Sequence, residues 1–150
     1  MKSFNKDFKV KAKLVKNNEK WVEGYLTVIN DTAYITTDSE EKFEVLKESV
    51  CRKIGITDNF NNDIFEYDIV DAWIGKVHGN FLAVWDKQNF AYTFIFLDRF
   101  IIKLPIKTIV KDMTENIATF QRLFSVFDHP EYLSKIMNLD LGVDLNLNLS

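Results

Sequence analysis

Across its 150 residues the chain has one Cys, two Pro, two His, three Arg and five Gly. A lone Cys51 cannot form an internal disulfide, so a disulfide-stapled secreted fold is excluded and a reducing compartment is expected. Five glycines and two prolines exclude collagen and low-complexity chains, and neither G-x-x-x-x-G-K-[ST] nor G-x-G-x-x-G occurs, so no recognisable phosphate-cradling loop is encoded. His78 and His129 stand apart without metal-ligand spacing, and no zinc site or other metal centre is expected. Long hydrophobic runs are also missing. The most apolar stretch, 90–110, is broken by Asp98, Arg99, Lys103, Pro105 and Lys107, which argues against a membrane span. The first residues, MKSFNKDFKV, lack the apolar core of a signal peptide, so a cytoplasmic location is the expectation.

What is present is an ordinary globular balance, with 47% hydrophobic and 27% charged residues, and 13 Phe among the aromatics. Net charge is 19 minus 22, or −3, too mild for a protein that coats nucleic acid. Its distribution is polar along the chain. Residues 1–20 hold seven Lys against two acids, a local +5, whereas residues 31–71 hold eleven acids against four bases, a local −7.

Phe8, Val10, Ala12 and Leu14 alternate with Lys9, Lys11 and Lys13, which predicts a half-buried first strand with one cationic face. Asn17-Asn18 supplies a turn into a strand over 21–29, and Asn30-Asp31 supplies the next turn. Further strands are predicted at 33–37, 43–45, 64–65 and 68–74, then a hairpin turning on Gly79-Asn80, then strands at 81–85, 90–97 and 101–104. Residues 114–127 stay open between helix and strand, because Ile117, Phe120, Phe124 and Phe127 have helical spacing. His129-Pro130-Glu131 predicts a short helix through Met137, capped by Asp128 or His129. From Leu139 to Leu149 every second residue is Leu or Val, a strand-like extension that could complete its own sheet or pair with a second copy or a partner.

Several segments taken in order resemble one family. Trp21-Val22-Glu23-Gly24-Tyr25-Leu26, Phe43-Glu44-Val45 with Glu48-Ser49-Val50, Gly55-Ile56-Thr57-Asp58, and Ile64-Phe65-Glu66-Tyr67-Asp68-Ile69-Val70 are similar to the YopX family of phage and prophage proteins, as are Val84-Trp85-Asp86 and Asp128-His129-Pro130-Glu131-Tyr132-Leu133. The chain departs from the family pattern where Cys51 and Tyr67 replace Gly and where Asn61-Asn62 replaces a Gly-containing turn. The resemblance implies one mainly β, small barrel-like mixed-β domain (SH3-like/YopX-like) over 1–150 with a short C-terminal helix, residues 139–150 being the strand-like extension. It carries no catalytic residues to this chain.

The candidate chemistry is correspondingly sparse. Cys51 reads as a buried thiol rather than a nucleophile, its sequence neighbours Arg52 and Lys53 supplying no general base. Glu66 and Asp68 share a strand face, with Asp58, Asp63 and Asp71 nearby, which is enough to consider Mg²⁺, yet such acids commonly satisfy turn N–H groups. Two binding surfaces remain. The acidic block Asp38, Glu40, Glu41, Glu44 and Glu48 suits a basic groove on a protein, and Lys9, Lys11 and Lys13 suit a phosphate backbone. The leading expectation is a non-catalytic phage or prophage accessory protein that binds a host or phage protein, modulating or inhibiting host defence or DNA metabolism, without a cofactor. A nucleic-acid-binding protein is the alternative, and a metal-dependent enzyme comes third.

Overall fold

A computed structural model describes residues 9–87, 89–97, 103–107 and 118–137. They form a mainly β protein of antiparallel sheets with one short helix. The chain divides into two compact units after Gly55. The tail over 139–150, and the parts of the predicted strands at Phe8 and 101–102, lie outside the described residues.

The first unit is a sheet in the order β4-β3-β2-β1-β5, built from β1 (Val10–Lys13), β2 (Trp21–Ile29), β3 (Thr32–Thr36), β4 (Lys42–Val45) and β5 (Cys51–Thr57), which runs past the boundary. Alternation decides its inner face: Val10, Ala12, Ala33, Ile35 and Val45 are buried together, with Leu14, Val22 and Val50 packed against them. Asn30 and Asp31 both hold positive φ, +49° and +68°, and Ile29 pairs with Thr32, the geometry of a type I′ hairpin. Gly24 on β2 has a steric role, because a Cβ there would lie 2.2 Å from the Thr36 carbonyl oxygen. Among the described residues the sheets do not close into the barrel implied by the family resemblance. The segment after β1 meets the end of β4 through the Leu14 to Val45 bridge, flanked by Leu46 N–H donating to Lys13 O (2.8 Å) and Val15 N–H donating to Glu44 O (3.2 Å).

In the second unit the end of β5 turns into β6 (Asp63–Phe65), with Asp58 N–H donating to Asn62 O at 2.9 Å. The main sheet runs β10-β9-β8-β7-β11, formed by β7 (Asp68–Ile74), β8 (Val77–Asp86), β9 (Ala91–Phe96), β10 (Lys103–Pro105) and β11 (Ala118–Ser125). Rings fill one of its faces: Phe81 lies 4.9 Å from Phe96 and 6.4 Å from Phe94, and Phe94 meets Phe120 edge-on at 5.8 Å. Removing a fully buried ring such as Phe81 would cost about 3–5 kcal/mol. A 3₁₀ turn (Val126–Asp128) leads into helix α1 (Pro130–Met137), whose Leu133 and Ile136 are buried. His129 stands at the residue before Pro130 and its carbonyl accepts from Tyr132 N–H (2.9 Å).

One expectation is corrected here, and one alternative left open by the sequence is decided over 118–125, its residues 114–117 lying outside the described residues. The β7–β8 hairpin turns at Gly75-Lys76, not at Gly79-Asn80, because Ile74 pairs with Val77 and Gly75 takes φ +63°, while Gly79 and Asn80 lie within β8 opposite Ala72 and Asp71. Residues 118–125, open between helix and strand in the sequence, are strand. A bulge between Arg122 and Phe124 changes the facing of the strand, so Phe120 packs on Phe94 while Phe124 lies 4.0 Å from the His129 ring and 5.2 Å from Tyr132. That spacing imitated a helix.

Candidate functional site

The first unit carries both predicted binding surfaces, the lysines on the outer face of its sheet and the acids mainly in the turns beside β4. Lys11 and Lys13 lie opposite Glu23 and Trp21 across β1 and β2, on the side away from Val10 and Ala12. Cross-strand placement draws each ammonium onto a ring: Lys11 Nζ sits 4.6 Å and Lys13 Nζ 5.4 Å from the Trp21 ring centre, and Lys9 Nζ sits 5.9 Å from Tyr25. Lys42 does the same over Tyr34 at 4.5 Å. Lys11 retains only 7% of its exposure. The three lysines are therefore not a solvated stripe, and their stems and charges are partly spent within the unit.

Lys9 is also bonded to Asp38, Nζ to Oδ2 at 2.7 Å, and this hydrogen bond is the chief reason its pKa lies above the ordinary value. The two rival candidate surfaces thus meet at one ion pair. The remaining acids are exposed. Glu40 and Glu41 sit in a tight loop where Glu40 N–H donates to Thr37 O (2.9 Å) and Thr37 N–H donates to Glu41 O (2.8 Å), with Glu40 at φ +67°. Glu44 lies on β4 opposite Tyr34, and Glu48 lies in a 3₁₀ turn (Lys47–Ser49). A second exposed pair joins Lys47 to Asp31, and its ammonium is the main cause of the lowered Asp31 pKa.

The acids of the second unit perform a different task. Asp58, 3% exposed, accepts Phe60 N–H (2.8 Å) and Asn62 N–H (2.9 Å) on Oδ1, and Arg122 N–H (2.8 Å) and the Asn62 amide (3.1 Å) on Oδ2. Burial pushes its pKa up, but those donors together hold it below the ordinary carboxylate value. Beside it, Phe120 N–H donates to Asn59 Oδ1 (2.7 Å) and Asn59 N–H to Phe120 O (3.1 Å), so the loop covers the outer edge of β11. Buried Asp68 accepts Phe65 N–H and Arg122 Nε on Oδ2, each at 2.9 Å. Glu66 is buried in the same turn, Asp63 is half-buried on β6, and Asp71 lies on β7 beside His78. Among the described residues no group of three or more His, Cys, Asp or Glu is placed to hold a metal ion. Cys51 is fully buried and its thiol donates to Ser49 O at 3.3 Å. Among the described residues no helix is long and apolar enough to cross a membrane.

One cluster went unread in the sequence. On β7 and β8 the Trp73 and His78 rings stack at 4.3 Å with 10° between their planes, and His78 Nε2 lies 3.0 Å from Asp71 Oδ1. A turn at Gly79-Asn80 leaves Trp73 and His78 unpaired, whereas the observed register sets them opposite each other. The signal that finds them is the shorter hairpin on Gly75.

Comparison of the chain with family models, with characterised proteins and with solved structures returned no match.

Proposed function

We propose that this is a phage- or prophage-encoded accessory protein of YopX-like, SH3-like type that works without catalysis, in the cytoplasm of the bacterial host, by binding a protein of host defence or DNA metabolism. The observation that carries the binding mode is the contrast on the first unit: Glu40, Glu41, Glu44 and Glu48 are exposed, while Lys9 is bonded to Asp38 and Lys11 is buried against Trp21. An acidic surface of this kind steers a basic partner and adds specificity. Supporting the family reading, Asn61 and Tyr67 stand at positions where the family pattern has Gly, and both hold left-handed backbone, φ +64° and +66°. Gly24 of the W-x-x-G-Y-L segment is likewise fixed by the Thr36 carbonyl.

The test is capture from nuclease-treated host lysate with the tagged protein at two salt concentrations, beside a variant carrying Glu40→Lys, Glu41→Lys and Glu44→Lys. One stoichiometric protein held by the native chain and lost by the variant is the expected result. Equal capture by both would overturn the acidic surface.

A second reading has its own observation. Trp21, Tyr25 and Tyr34 lie on one sheet face with Lys9, Lys11, Lys13 and Lys42 over their rings, the residue types that hold single-stranded nucleic acid. It predicts retention of nucleic acid from untreated lysate that falls steeply with salt.

A further inference from the structure

At the β7–β8 hairpin end the outward face of the second unit's sheet carries exposed side chains, among them Trp73, His78, Thr119 and Gln121. Register alone assembles a grid there: Thr119, Trp73 and His78 lie side by side on β11, β7 and β8, and Gln121, Asp71 and Asn80 form the adjoining row. Toward the other end of the same face Ile69 and Leu82 are fully buried. Trp73 retains 53% of its surface, large for an indole on a sheet. One face of its ring is taken by His78, stacked at 4.3 Å, and His78 is itself positioned by Asp71 at 3.0 Å. On the opposite side the residue of β11 paired with Trp73 is the small, exposed Thr119. The result is a rigid, electron-rich indole face beside a carboxylate, with the amides of Gln121 and Asn80 flanking it.

We propose that this grid is a receptor for an arginine side chain of a basic protein partner, the guanidinium lying flat on Trp73 and bonding to the Asp71 carboxylate. The charge fits one class of guest. Aromatic faces attract cations, a planar guanidinium stacks better than an ammonium, and a carboxylate accepts its paired N–H groups. No Lys or Arg occupies the six grid positions, so a phosphate-bearing guest would meet Asp71 without compensation from the grid. The inference rests on the protein-binding reading but uses a different surface from the acidic block, so the two fail separately.

The test is NMR titration of the ¹⁵N-labelled full chain, following the Trp73 indole N–H, with N-acetyl-arginine amide as probe and the lysine and citrulline equivalents, methyl glucopyranoside and adenosine monophosphate beside it. The Trp73 signal moves with the arginine probe, roughly two- to fivefold more weakly with lysine, and not with neutral citrulline. Asp71→Asn, an isosteric change at a half-exposed position, abolishes the response while the rest of the spectrum stays folded. A Glu40/Glu41/Glu44 charge-reversed chain responds like the native one, whatever becomes of lysate capture. Equal response to citrulline, a response to the sugar or the nucleotide in place of arginine, or no movement of Trp73 would each overturn the proposal.

Discussion

Lys9 and Asp38, 29 residues apart, are joined by a 2.7 Å hydrogen bond that links the cationic strand to the acidic loop. Each neutralises a residue that its own surface would otherwise display. Lys9→Gln should therefore sharpen the acidic surface, raising the association rate with a basic partner, and should weaken retention of nucleic acid. Surface plasmon resonance against the captured partner and against an oligonucleotide reads both. Slower protein association in Lys9→Gln would contradict the acidic-surface reading. The stability loss should be only about 0.2–1 kcal/mol, because Asp38 is largely exposed. Since the folded pKa of Lys9 is raised, that contribution is complete below about pH 10.4 and disappears as pH rises through the higher folded value.

Asp58 should be the most costly polar residue to change in the second unit. Its two oxygens accept N–H groups from Phe60, Asn62 and Arg122, tying a loop to β11 across 64 residues. Asp58→Asn places an NH₂ against backbone donors and should cost about 2–3 kcal/mol at neutral pH. The folded pKa is lowered, so this stabilisation is present above about pH 4 and is lost as pH falls from there through the folded value. Urea unfolding of the native and Asp58→Asn chains at several pH values should show the gap closing in acid. A gap that stays constant into acid would mean the charge of Asp58 is not what holds the loop.

Gly24→Ala should destabilise the first unit by about 1–3 kcal/mol, the range for forcing atoms into a packed site. The added Cβ would meet Thr36 O at 2.2 Å and the Ile35 Cγ2 at 2.9 Å, and the nearer of these is backbone of the adjacent strand. Thermal melts of Gly24→Ala beside Gly55→Ala separate crowding from loss of glycine freedom, because a Cβ at Gly55 meets nothing within 4 Å although its φ is +97°. Equal folding of Gly24→Ala and the native chain would show that β3 can move away.

The strands were legible wherever one face is apolar and the other polar, as with Val10 and Ala12 between the lysines of β1, and the Asn30-Asp31 turn and the helix after His129 carried their own local chemistry. Three features were not. Gly75-Lys76 and Gly79-Asn80 both suit a two-residue turn, and only pairing of Ile74 with Val77 selects the first. Bulging at Arg122 to Phe124 leaves no mark in a single sequence. Lys11 is buried, with its ammonium over the Trp21 ring of the neighbouring strand, a contact that composition cannot show. The candidate site was legible to the same degree: its acids were recognised as exposed charge, but the Lys9 to Asp38 pairing and the Trp73, His78 and Asp71 cluster depend on register.

Tyr67 offers the sharpest test of the backbone reading. It holds φ +66° in the turn between Phe65 and Asp68, a conformation costing a side-chain-bearing residue about 1–2 kcal/mol. The turn is held in place from both sides: Tyr67 N–H donates to Ala83 O at 2.7 Å, Val126 N–H donates to Tyr67 O at 2.9 Å, and the Tyr67 ring meets Phe127 edge-on at 5.5 Å. Tyr67→Gly relieves the strain but loses the ring contact, so its net effect against the native chain is small. Comparing Tyr67→Gly with Tyr67→Ala removes the ring from both and leaves only the Cβ. The glycine variant should be the more stable by about 1 kcal/mol, the reverse of the order at ordinary strand positions. Denaturant midpoints of the two variants decide it, and an alanine variant as stable as the glycine one would mean that the turn relaxes to negative φ.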